Sequence, residues 1–184
     1  MGETGIGARV ARVEDRRFVT GKGNYTDDIN RPGQLYAAFV RSPHAHARLT
    51  SVDIAAAKEA PGVVAVYTGH DLKKFVPTSD DLEESPIGDL ICGWMVHSKN
   101  GEPMKAGSHP SLARDTVRHV GDQIAVVVAE TERQARDAAD LVEVEYEVLP
   151  AVADPVKARA ADAPRVHDIA EGNLVYEWEI GDKA

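Results

Sequence analysis

The chain has 184 residues, enough for one domain with a proper core and flanking arms. Its 30 acidic against 21 basic residues leave a net charge of −9, which excludes the clustered Lys and Arg of a nucleic-acid footprint and favours solubility. The single cysteine, Cys92, excludes an internal disulfide and any self-contained set of cysteine ligands for zinc or iron–sulfur, and it fits a reducing cytoplasm.

Residues 1–33 are rich in Gly and charge, show no sustained hydrophobic period, and read as an N-terminal arm. That arm lacks the apolar stretch of a secretory signal. Its arginines Arg9, Arg12, Arg16 and Arg17 are interspersed with Glu3, Glu14 and Asp15, unlike a transit peptide. No apolar run approaches the roughly 20 residues that span a bilayer, so the expected location is cytoplasmic. "QLYAAFVRS" (34–42) reads as a strand with apolar residues on both faces, hence buried on both. "ARLTSVD" (47–53) alternates imperfectly at Leu49 and Val52 and reads as a second strand. Asp53 then caps a short helix that stops at Pro61–Gly62, and "VVAVYTG" (63–69) is the next strand.

Residues 76–111 hold four of the ten prolines and form a long loop. "TVRHVGDQIAVVVAE" supplies short strands broken at Gly121, a bend or bulge, the second of them buried on both faces. Thr131 and Gln134 have capping-box spacing at the start of a helix whose small face is Ala135, Ala138, Ala139 and Val142. In the strand that follows, Val144, Tyr146 and Val148 alternate with Glu143, Glu145 and Glu147. Strand, helix and strand joined so tightly imply a right-handed crossover between parallel neighbours. After Pro150 the texture is that of a linker, and "LVYEWEIGDKA" begins another alternating strand, as in a chain cut from a longer one.

No complete active site is legible in these residues. His44 and His46, two apart, would share one face of a strand and suggest a metal site, but His70, His97, His109 and His119 lie in unrelated contexts and offer no third ligand. Asp27–Asp28 and Asp80–Asp81 read as turn caps, and the stripe Glu143, Glu145, Glu147 as a solvent face. "GIG" and "GKG" neither follow a strand nor open a helix, so they make no phosphate loop. Cys92 reads as a packed thiol, and Trp94 and Trp178 as contacts with a neighbour. The assignment is therefore no catalytic, cofactor-binding or metal residue.

Five ordered blocks carry a resemblance: "RVEDRRFVTGKGNYTDDI" (12–29), "GQLYAAFVRSPHAHARLTSVD" (33–53), "APGVVAVYTGHDL" (60–72), "CGWMVHSKNGEPMK" (92–105) and residues 109–155. Together they resemble the N-terminal α/β-hammerhead domain of the molybdenum-containing large subunit of the xanthine dehydrogenase and aldehyde oxidase superfamily. The branch most similar is the aerobic carbon monoxide dehydrogenase type. The resemblance implies an α/β (α+β) fold, a mixed sheet with two helices and long loops. It divides the chain into an arm (1–33), the hammerhead domain (34–152), and a linker plus first strand of a missing molybdopterin-binding domain (153–184).

Enzymes of this family oxidise carbon monoxide, an aldehyde or an N-heterocycle with water as oxygen source. The resemblance implies molybdopterin (cytosine dinucleotide) molybdenum for the full-length protein, with iron–sulfur clusters and FAD on a small and a medium partner subunit. The family's cofactor-gripping and catalytic motifs are absent from residues 1–184, so these residues alone are expected to be inactive and to bind no cofactor. The alternative reading is a stand-alone interaction or assembly module that reuses the hammerhead fold. A small hydrolase or isomerase ranks last, for want of a nucleophile and base.

Overall fold

Strand β5 (Gln123–Ala129) is the hub of the molecule, and its neighbours decide the topology. In this computed structural model, which describes residues 7, 12–72, 96–105, 107 and 109–181, the residues group into two units, 1–34 and 35–184.

In the first unit the sequence predicts an arm without regular structure, yet a helix α1 (Asp15–Val19) forms there. Arg17 bonds Glu14 and lies 4.9 Å from the Phe18 ring centre, and Phe18 stacks on Tyr25 at 5.4 Å. A 3-10 turn follows at Thr26–Asp28, where Asp28 Oδ2 accepts from the Tyr25 backbone N–H at 2.8 Å. Short-range polar contacts stand in here for the missing apolar period.

In the second unit β1 (Tyr36–Arg41) and β3 (Val63–Thr68) flank β5 in a three-stranded sheet, and both pair with it antiparallel. Helix α4 (Glu132–Ala139) covers one face of this sheet. Its Ala138 packs with Val66, Val127 and Ala57, the last from α2 (Ala55–Glu59). Alanines at the contact let the helix approach closely. The cap position of α2 is Ile54 rather than Asp53, which stands one residue earlier and whose Oδ1 accepts from Ala55 N at 2.8 Å. The capping pair also forms: Thr131 Oγ1 accepts from Gln134 N at 3.2 Å and donates to Gln134 Oε1 at 2.7 Å.

The second sheet has the order β4–β2–β6, with β2 (Ala47–Asp53), β4 (Thr116–Val117) and β6 (Glu143–Val148), again all antiparallel. Its core is Ala47, Ala113, Val117 and Ile124, with Leu49, Val52, Val144 and Tyr146 packed around them. Ile124, Val117 and Val127 are the largest fully buried side chains, each worth about 1.5–3 kcal/mol of transfer free energy.

The expected parallel crossover, and with it a mixed sheet, is corrected by this pairing. Both edges of β5 are taken by β1 and β3, so the chain leaving α4 finds no free edge beside β5 and joins β2 in the other sheet. The helix connects two antiparallel sheets. Besides α1, α2 and α4, a single helical turn α3 (Gly69–Leu72) brings the helices among the described residues to four, and only α4 exceeds five residues. Burial of β1 on both faces is likewise corrected: Tyr36, Ala38 and Val40 are half-buried, while Ala37, Phe39 and Arg41 are exposed.

Of the long loop, residues 96–104 make a hairpin with a His97–Pro103 bridge; Cys92, Trp94, Asp80 and Asp81 lie outside the described residues. The segment after β6 also departs from expectation. Asn173 closes it into a loop: Oδ1 accepts from Val166 N at 2.8 Å, and Nδ2 donates to the Ala158 and Pro164 carbonyls at 2.9 Å. Residues 174–180 are extended but form no strand; Lys99 N and Lys105 N donate to the Glu177 and Val175 carbonyls at 2.7 and 2.9 Å.

Candidate functional site

Most of the polar side chains that sequence reasoning singles out are spent on structure. His44 and His46 lie in the connection between β1 and β2, not on a strand, and they diverge. The His44 ring meets the edge of Tyr146 at 4.7 Å, while His46 Nδ1 lies 2.8 Å from the Pro150 carbonyl. Tyr146 is held above its usual pKa by burial, and a hydrogen bond with Ser42 works the other way. Ser42 is itself 2 % exposed, and its hydroxyl accepts from His44 N at 3.0 Å. His70 faces Asp115 at 3.3 Å on the surface. In the glutamate stripe, Glu147 pairs with Arg48 across the β2–β6 ladder, and such exposed pairs contribute at most about 1 kcal/mol.

One place does gather titratable groups. The β4–β5 turn folds back because Arg118 N donates to Asp122 Oδ2 at 2.9 Å, with Gly121 at φ +88° and its N–H donating to the Ser42 carbonyl at 2.8 Å. This sets His119 beside Asp122 (3.6 Å) and within 6.2 Å of His109, ring centre to ring centre. Val166 and His167, from the segment after β6, close the other side of a cleft of about 160 Å³. His167 is therefore the residue that sequence reasoning passes over. The only signal was an imidazole between Val166 and Ile169 in an otherwise Ala, Asp and Pro-rich stretch.

The His167 imidazole is held below its ordinary pKa, first by burial and then by the Arg118 guanidinium, with His109 and His46 adding to it and Asp168 opposing. Arg118 is engaged with backbone: Nε donates to the Val166 carbonyl at 3.0 Å. Asp122 serves the turn. The cleft's charged groups thus fasten one segment to another, and nothing in this arrangement presents a reacting atom to a substrate. Among the described residues no three His, Cys, Asp or Glu side chains converge to hold a metal ion. Another concavity, about 450 Å³, lies along Val63–Tyr67 between Lys58 and Asp71.

Residues 20–150 match the family described as aldehyde oxidase and xanthine dehydrogenase, a/b hammerhead domain. The chain is 41 % identical over 191 residues to the carbon monoxide dehydrogenase large chain of Afipia carboxidovorans, covering 97 % of this chain and 21 % of that one. It is 35 % identical over 166 residues to the xanthine dehydrogenase molybdenum-binding subunit of Escherichia coli O157:H7, covering 90 % and 20 %. Among solved structures, quinoline 2-oxidoreductase from Pseudomonas putida 86 superposes with a TM-score of 0.73 at 38 % identity, covering 90 % of this chain and 19 % of that one. The chain thus spans about a fifth of the length of these relatives.

Proposed function

Because the chain belongs to the aldehyde oxidase and xanthine dehydrogenase family through its α/β-hammerhead domain, we propose that it is the N-terminal scaffold of a molybdenum hydroxylase large subunit. In this reading residues 1–33 are an arm, 34–152 the hammerhead domain, and 153–184 the lead into a molybdopterin-binding domain. The whole enzyme is cytoplasmic and oxidises carbon monoxide, an aldehyde or an N-heterocycle with water as oxygen source. Molybdopterin, in its cytosine dinucleotide form, supplies the redox centre when bound. Iron–sulfur clusters and FAD on a small and a medium partner subunit carry the electrons away.

The described residues do not fit that cofactor themselves. A dinucleotide pyrophosphate needs a nest of backbone N–H groups at a glycine-rich turn or helix N-terminus. The concavity along Val63–Tyr67 offers instead an apolar strand, one lysine and one aspartate. No catalytic step is therefore assigned to this chain; its part is to position neighbours.

The observation that carries the reading is the outer face of the β1–β5–β3 sheet. The pairs Ala37–Val128, Phe39–Val126, Ala65–Val128 and Tyr67–Val126 put six apolar side chains on the face that α4 leaves uncovered. Leu35 (45 % exposed), Phe39 (44 %) and Val64 (56 %) extend or top it. A contiguous apolar surface of this kind is the mark of a domain that meets other protein. The coding sequence downstream of Ala184 tests the proposal. A frame that continues into a long glycine-rich domain supports it; a stop codon directly after Ala184 favours the stand-alone interaction module.

A further inference from the structure

The segment that follows β6 is tied to the body of the domain by two imidazoles and a guanidinium. His46 Nδ1 lies 2.8 Å from the Pro150 carbonyl oxygen, so that nitrogen carries the proton and donates. Arg118 Nε donates to the Val166 carbonyl. One residue on, the His167 ring rests on Gly107 so closely that a β-carbon there would come within 2.3 Å of Nδ1. Gly107 is thus the flat seat on which the ring lies. Beyond the ring, Ala170 is 2 % exposed and Asn173 closes residues 158–173 on themselves, so this stretch docks as one loop.

We infer that His167 is a proton-operated fastener: as neutral imidazole it holds the 158–173 loop on its seat, and as imidazolium it releases the loop. The charges that face it dictate this direction. Arg118 stands beside it from the β4–β5 turn, His109 and His119 line the same cleft, and His46 lines the adjoining one that shares Arg118, His119 and Val166. Of the two carboxylates near it among the described residues, Asp122 already accepts from Arg118 N and faces His119, and Asp168 belongs to the loop and leaves with it. A half-buried imidazolium would therefore sit beside the Arg118 guanidinium with, among the described residues, no carboxylate on the body left to receive it.

The sign follows. Once released, the ring titrates near its ordinary 6.5, and once docked it titrates lower. The undocked state then binds more protons between the two values. Docking is complete above about pH 6.5, weakens as pH falls through the docked value, and is flat below it. The cleft becomes a pH-dependent coupling between the domain and the polypeptide that leaves it, whatever that polypeptide carries.

Hydrogen exchange of the 184-residue chain, followed in peptides spanning 158–173 at pH 7.5 and 5.5 and corrected for intrinsic chemistry, tests this against the neutral variant His167→Gln. The wild type should lose several-fold more protection between the two pH values than the variant. Equal pH dependence in both proteins would overturn the inference. Should the variant leave the loop undocked at both pH values, an NMR titration of the wild-type His167 ring decides. A midpoint below 6.5 that coincides with exposure of the loop supports it, and a midpoint at or above 6.5 sinks it.

Discussion

A β-carbon on Gly62 would lie 2.2 Å from Nε2 of Gln134, so the first turn of α4 closes over the turn that feeds β3. Gly62 also sits at φ +78°, where an L side chain costs about 1–2 kcal/mol. Gly62→Ala should lower the free energy of unfolding by about that much or more, because Gln134 must also swing away from Thr131. Thr131→Ala, which removes the cap alone, should cost about 1 kcal/mol. Urea unfolding of the two variants measures both, and the ordering of the two losses is the check.

Gly69 differs in kind. Its missing β-carbon would meet backbone, the Leu112 carbonyl oxygen at 2.5 Å and that of Ala113 at 2.6 Å, and no flexible side chain is there to yield. Gly69→Ala should destabilise by about 1–3 kcal/mol through overpacking at a position with no strained φ. A variant as stable as wild type would show that the 112–113 segment moves freely.

Ile124 is fully buried among Ala47, Ala113 and Val117 at the end of β5. It therefore joins the central strand of one sheet to the core of the other. Ile124→Ala should cost about 2–5 kcal/mol, and the small neighbours, unable to collapse into the space, favour the upper half of that range. Retention of wild-type cooperativity with a loss under about 1 kcal/mol would deny the two sheets a common core.

Much of this core was legible because the strands announce themselves by β-branched runs and α4 by its cap and alanine face. The imperfect alternation at Leu49 and Val52 proves to be informative. The β2–β6 register shifts between Leu49 and Ser51, and this bulge lets both side chains face the same core. The crossover was not legible, since nothing local in residues 123–148 says that both edges of β5 are already occupied. That fact lies 60 to 90 residues upstream, in β1 and β3. The His167 cleft was hidden for the same reason: its members come from three separate stretches and meet only when the segment after β6 folds back.

The outer apolar face separates the stability of this domain from its use. Phe39 is 44 % exposed and lies under Arg41, whose guanidinium carbon is 5.6 Å from the ring centre. Phe39→Asp should change the unfolding free energy of the 184-residue chain by no more than about 0.5–1 kcal/mol, the range of surface substitutions. In a full-length large subunit the same change should reduce the yield of assembled enzyme. Wild-type assembly together with wild-type stability would show that this face meets nothing.

The most direct test of the scaffold assignment is metal content. The 184-residue chain, produced in a host that makes the molybdenum cofactor and purified without denaturation, should contain molybdenum only at background and show no oxidation of carbon monoxide, aldehydes or N-heterocycles. Near-stoichiometric molybdenum in that preparation would contradict the assignment and place a cofactor site within these residues.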